Sequence, residues 1–145
     1  MKKVLSIGLL FFIVQLNAQN QEVQKVIENF FEAFHAKDTT KLRAYCSENM
    51  IMQSITENTK GNKFTEETME GFFNSLAKIP HTIGFEEKIL SFIIQVDGTM
   101  ANVWTPYEFY MNGKLQHSGV NSFQLYKDDG FWKIIYFIDT RRKKV

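Results

Sequence analysis

One cysteine and two prolines are all that 145 residues contain of each. A lone Cys46 cannot close an internal disulfide, so no cystine framework holds this chain together. The only histidines, His35, His81 and His117, show no HxH, HxxxH or Cys pairing. A zinc site therefore lacks a ligand set, and no metal is expected. No Gly-x-Gly-x-x-Gly or P-loop occurs, so no backbone cradle for a nucleotide exists and no cofactor is expected. Neither Ser54 nor Ser118 sits in a nucleophile-elbow context. A dominant charge is missing as well: 17 Lys+Arg face 16 Asp+Glu, a net +1. That is far from the basic excess a nucleic-acid partner demands. The length itself admits one domain and excludes a two-domain dehydrogenase or kinase.

What the chain has in surplus is aromatic surface. Fourteen Phe, five Tyr and two Trp exceed what a disordered chain carries and require a packed core or an apolar cavity. Part of the apolar content belongs to a leader. Met1-Lys2-Lys3 is a cationic start, Val4–Leu16 is apolar except for Ser6, Gly8 and Gln15, and Leu16-Asn17-Ala18 ends on a small residue. This layout predicts a secretory signal over 1–18 and an exported mature domain over 19–145, periplasmic or secreted. As a helix the apolar run rises about 20 Å, short of the roughly 30 Å hydrocarbon core, so no stable membrane anchor is expected after cleavage. No cysteine follows the run to accept a lipid. Losing Lys2 and Lys3 and no acid moves the formal charge from +1 to −1. Cys46 reads as a small buried apolar residue rather than a reactive thiol.

No repeat or linker divides residues 19–145, which read as one domain. Val23, Val26, Ile27, Phe30, Phe31 and Phe34 recur at helical spacing, with Glu22, Lys25, Glu28, Asn29 and Glu32 opposite. Asp38-Thr39-Thr40 offers capping side chains to a short second helix over 42–46. Residues 50–56 read as a strand and 57–63 as a loop. Thr65 is the expected cap of a third helix whose buried stripe is Met69, Phe72, Phe73 and Leu76, with Phe64 stapled onto Met69 and Pro80 as the stop. Beyond Ile83 the period falls to two. Residues 84–96, 101–111, 114–126 and 131–139 are strand-like, separated by Asp97-Gly98, Asn112-Gly113 and Asp129-Gly130, dipeptides that favour tight hairpins. Helices first and an antiparallel meander after them make an α+β fold, with a curved sheet over about three N-terminal helices.

The opening FFEAFHAKDTTKLRAYCSEN, the hairpin YEFYMNGKLQHSGVNSFQL and the ending DGFWKIIYFIDT resemble the nuclear transport factor 2-like superfamily. Within it they are most similar to the SnoaL-like and lumazine-binding-type groups of exported bacterial proteins. The resemblance covers residues 21–141 and rests on turns and core positions. It implies a cone: a strongly bent antiparallel sheet around helices, an apolar pocket at the open end, and homodimers formed through the sheet's outer face. A fold this widely used does not fix a function. Ketosteroid isomerases of the superfamily use a Tyr on the first helix, an Asp base on the first strand and a protonated Asp on the second-last strand. Aligned on the Ala-x-Asp after the first helix, the first two positions hold Phe30 and Ser54; aligned on the hairpin, the third holds Asn121. Phe30 donates no hydrogen bond and Ser54 is no base near neutrality, so that chemistry is not expected, although Asn121 keeps an amide donor.

Period-two alternation assigns faces. With Asn121 inward, His117, Gly119, Phe123 and Leu125 share its face, as do Val103, Thr105, Tyr107 and Phe109 on the strand before. For the last strand two inward sets stay open: Ile135, Phe137 and Asp139, or Trp132, Ile134, Tyr136 and Ile138. The candidate pocket gathers Tyr107, His117, Asn121 and Asp139 among Phe30, Phe34 and Phe123, with Ser54 at the base position. His117 and Asp139 are the candidate catalytic bases, and Tyr107 and Asn121 the groups that would hold a carbonyl or hydroxyl oxygen. Similar SnoaL-like enzymes place an acid near the end of the last strand, where Asp139 stands. Plainer roles compete: Asp139 as a strand-end cap or Arg partner, His117 as a solvated hairpin residue, Tyr107 as packing. Arg141-Arg142-Lys143-Lys144 reads as a solvated basic tail. Three functions follow. The first is a homodimeric protein binding a small apolar or aromatic ligand; the second, a lyase, isomerase or cyclase working through His117 and Asp139. The third is an interaction module using Trp104 and Tyr110 on the outer face.

Overall fold

Val23, Ile27, Phe30 and Phe31 line one side of helix α1 (Lys2–His35) and are buried, so this stripe determines what the helix lies against. Its counterpart is the inner face of a sheet: Val103, Phe123, Leu125 and Ile134 are wholly enclosed. Phe123 sits at the centre, its ring 5.9 Å from those of both Phe30 and Phe31 and 4.8 Å from that of Phe137. The computed structural model describes the backbone of residues 2–143 and side chains of residues 18–143. The segment 1–18, read as a secretory signal, lies almost wholly outside the described side chains. Among the described residues no helix is long and apolar enough to cross a membrane.

Helix α1 ends in a Schellman turn with Lys37 at φ 56°, where Asp38 N–H bonds the Ala33 carbonyl at 2.9 Å. Asp38 then accepts from Lys41 N–H at 3.0 Å and caps α2 (Thr39–Tyr45), as its sequence position predicts. Strands β1 (Cys46–Asn58) and β2 (Gly61–Glu67) form a hairpin, and α3 (Met69–Ala77) follows. Thr65 does not cap that helix: it lies in β2 opposite Ser54, and Thr68 accepts from Gly71 N–H at 3.0 Å instead. The expected loop over 57–63 is thus a tight turn between paired strands. Phe64 is exposed in β2 and staples nothing. Phe73 and Leu76 of α3 are buried as expected, with the Arg43 guanidinium 4.5 Å from the Phe73 ring.

The remaining strands are β3 (Phe85–Ile89), β4 (Ile93–Asp97), β5 (Met100–Met111), β6 (Lys114–Asp128) and β7 (Phe131–Arg142). The sheet runs β2-β1-β7-β6-β5-β3, with β4 also beside β5. It is α+β as read, a large curved, unclosed sheet over three helices. It is mixed, because β1 joins β7 in parallel while the other pairings are antiparallel. Asn112-Gly113 and Asp129-Gly130 have positive φ at both positions and close two-residue hairpins.

Two irregularities escape the period-two reading. The strand expected over 84–96 breaks into β3 and β4 opposite Pro106, whose missing N–H falls between the rungs that end at Tyr107 and those that begin at Trp104. On β7 the register with β6 shifts between Gln124 and Leu125, which pair with Tyr136 and Ile134. This bulge flips the strand's phase. Trp132 and Ile134 face inward before it, and Phe137 and Asp139 after it, so each of the two proposed inward sets is right for half of the strand. The outer face carries exposed Ile51, Phe64, Ile93 and Trp104.

Candidate functional site

A cavity of about 440 Å³ opens between the inner sheet, α1 and α3. Its walls are apolar: Phe30, Phe31 and Phe34 from α1, Phe72 and Leu76 from α3, and Met52, Phe109 and Phe137 from the sheet. The aromatic spacing of α1 and α3 produces this wall directly, since residues three or four apart share a face. Phe34 and Phe72 stack across the two helices with centroids 5.9 Å apart.

A cluster of polar groups occupies one end, each carried by a strand. Asp139 of β7 lies opposite Ser54 of β1 on one side and Asn121 of β6 on the other. Only 4% of it is exposed, and its carboxylate accepts from Ser54 Oγ, from Tyr107 Oη at 3.0 Å and from Arg141 Nε at 2.7 Å. A buried carboxylate needs such a set, because an unpaired one would be costly. Tyr107 reaches it from β5 by crossing over Gly119, and its hydroxyl also lies 2.9 Å from the Thr140 carbonyl. A Cβ at Gly119 would stand 1.7 Å from that carbonyl oxygen and 3.0 Å from the Tyr107 ring, so only glycine fits beneath the crossing. Burial raises the Tyr107 pKa, with the Asp139 charge adding to it, which keeps the phenol a hydrogen-bond donor.

On β3, Glu87 faces Phe109 and lines the same cavity. Its Oε1 accepts from Asn121 Nδ2 at 2.6 Å, and its backbone N–H is held by His35 Nε2 at 2.8 Å. Burial pushes its carboxyl up to about 7; the Asn121 bond opposes this and the Asp139 charge reinforces it. His117 also lines the cavity, stacked 4.9 Å from the Phe109 ring and edge-on to Tyr107 at 5.8 Å. Burial, then the Arg141 charge, lowers its pKa, which favours a neutral imidazole near pH 7.

Of the residues singled out in the sequence, Phe30, Phe34, Ser54, His117 and Asp139 line the cavity. Tyr107, Asn121 and Phe123 do not. Tyr107 and Asn121 stand behind the polar end and hold Asp139 and Glu87, while Phe123 is enclosed in the core. His117 is packed rather than solvated, and Asp139 is an Arg partner that also faces the cavity. Other lining residues, Gln53, Glu67, Ser75 and Ile79 among them, were not singled out, and two of those missed belong to the polar end. Arg141, read as solvated tail, continues the inward set of Phe137 and Asp139 by two residues. Glu87 alternates with Phe85 and Ile89 on an otherwise apolar face, the one signal that could have found it. Cys46 is buried, and burial pushes its thiol up to about 12, as expected of a small apolar packing residue. Among the described residues no cluster of His, Cys, Asp and Glu could hold a metal ion.

No protein-family model matches the sequence, and no curated protein matches it significantly. Solved structures do. A protein of unknown function from Mycobacterium tuberculosis superposes with TM-score 0.72 at 13% identity, covering 92% of this chain and 77% of its own. An NTF2-like protein with a cystatin-like fold from Novosphingobium aromaticivorans gives 0.71 at 11% identity, over 91% and 87%. The chain has the nuclear transport factor 2-like fold. A candidate dehydratase of the NTF2-like family from Streptomyces avermitilis shares this cone with TM-score 0.66 at 13% identity, over 86% of this chain and 96% of that one. Identities this low establish the fold alone, so the chemistry of the cone has to be argued from its own residues.

Proposed function

We propose that the cone binds a small apolar or aromatic ligand carrying one polar group. The observation that carries this reading is the make-up of the cavity: about 440 Å³, walled largely by phenylalanines, with a polar cluster in its lining that the Ser54–Asp139 and Asn121–Glu87 bonds hold in place. Such a site gains affinity from apolar enclosure and orientation from a few polar contacts. Acetophenone tests it, followed by amide NMR on the full chain. Shifts are expected at Phe34, Phe72, Phe109 and His117, and Ser75→Trp, which places a bulky ring on an exposed lining residue of α3, is expected to weaken binding by about tenfold. Shifts confined to the outer sheet face, or binding unchanged by Ser75→Trp, would overturn the reading.

A second reading has its own support, because His117 and Asp139 line the same cavity. It is a lyase or isomerase in which His117, neutral and unbonded among the described residues, moves a proton while Asp139 orients the site. Loss of water from an aryl β-hydroxy ketone, followed by enone absorbance, tests it. Turnover is expected to fall by about 100-fold or more in His117→Gln; turnover that survives the substitution removes His117 from the chemistry.

A further inference from the structure

Glu87 is a carboxyl that the fold does not need as an acid. Its one side-chain bond, from Asn121 Nδ2 to Oε1, would form equally well to a glutamine carbonyl. No cation lies within ion-pair distance of it among the described residues. The nearby cation, Arg141, gives its Nε to Asp139. Oε2 has no protein partner, yet Thr105 Oγ1 is the only fully enclosed side-chain polar atom without one among the described residues. Oε2 is therefore open to the cavity that Glu87 lines. The titratable or charged groups around it are Tyr107 from β5, His117 from β6, Asp139 and Arg141 from β7, and His35 from α1. Its own burial, and then the Asp139 charge beside it, favour the protonated form against the Asn121 bond and the Arg141 charge, leaving the carboxyl at about 7 against an ordinary 4.5.

We propose that Glu87 selects the ligand by carrying a proton: as a neutral acid it donates from Oε2 to the acceptor oxygen of an uncharged guest. The class is a ketone, aldehyde or ester with an apolar body. A carboxylate of the same shape is refused, because it would set a second anion against Asp139 and dehydrate its own charge. Asn121 is the positioning residue that holds Oε1 and leaves Oε2 to the guest. Ligand occupancy then falls as pH rises through neutrality, since only the protonated fraction is competent. The inference rests on the reading of the cavity as a ligand site.

Two probes of matched shape separate the possibilities on the full chain: acetophenone, and benzoate as the anion. Amide NMR titrations are run at about pH 6 and about pH 8.5 for the native protein and for Glu87→Gln. Acetophenone is expected to bind at least about tenfold more tightly to the native protein at the lower pH. In Glu87→Gln the amide donates at either pH, so the ratio between the two conditions is expected to fall to within about twofold. Equal affinity at both pH values in the native protein overturns the proposal without needing the variant to fold. A pH dependence that survives in Glu87→Gln assigns the proton elsewhere and overturns it too. Benzoate binding more tightly than acetophenone at the higher pH makes Arg141 an anion anchor, which also contradicts it. If no probe shifts the cavity amides in either protein, the ligand reading itself fails, and that outcome is distinct from the others.

Discussion

The two ends of the cavity are built on different principles. At the aromatic end, Phe30, Phe31, Phe34 and Phe72 come from two helices and their rings form a connected chain, with Phe30 and Phe31 also meeting the enclosed Phe123. At the polar end, Ser54, Glu87, Tyr107, Asn121 and Asp139 come from β1, β3, β5, β6 and β7, so the group exists only once the sheet is assembled. Dispersion and apolar burial are non-directional, so the wall tolerates small displacements. Hydrogen bonds of 2.6–3.0 Å do not. The wall makes the fold and the floor makes the site.

If that division is right, the largest loss of stability belongs to the wall and its support. Phe123→Ala removes the ring that touches three other phenylalanines and is expected to destabilise by about 3–5 kcal/mol in denaturant titration. A loss under about 1 kcal/mol would mean the wall is not the core. The next effect belongs to Glu87 and depends on pH. Its folded pKa of about 7 lies above the ordinary 4.5, so the folded state holds the proton more strongly. Stability is therefore lost as pH rises from about 4.5 through about 7 and stays low above it. Glu87→Gln lacks that term. Relative to the native chain it is expected to gain up to about 3 kcal/mol between acid and alkaline conditions, and an advantage that shrinks with rising pH breaks the account. The smallest effect is Tyr107→Phe, which deletes the hydroxyl bound to Asp139 and to the Thr140 carbonyl. About 1–2 kcal/mol is expected.

The same division explains what could be read in the sequence. Helical spacing in α1 and α3 and the glycine turns are local signals, and they predicted the aromatic wall and the β5-β6-β7 meander. Thr65 was misplaced because a hairpin with β1, the strand just before it, outweighed a plausible cap. Glu87 was passed over because β3 shows only one polar residue on its inward face. Its significance depends on Asn121, Asp139 and Arg141, which reach it through pairing. The phase of β7 stayed open because its bulge is a register shift against β6, which period-two alternation along β7 alone does not reveal. Gly119 shows the same limit: its need for a bare Cα comes from Thr140 and Tyr107, neither adjacent in sequence.

The most direct test of the polar floor is the titration of Glu87 itself, read from the side-chain carboxyl ¹³C shift of glutamate-labelled protein and assigned by its loss in Glu87→Gln. A midpoint at about 7 is the predicted result. A midpoint at the ordinary 4.5 would show a carboxylate that is charged at neutrality and would contradict the proton-carrying floor.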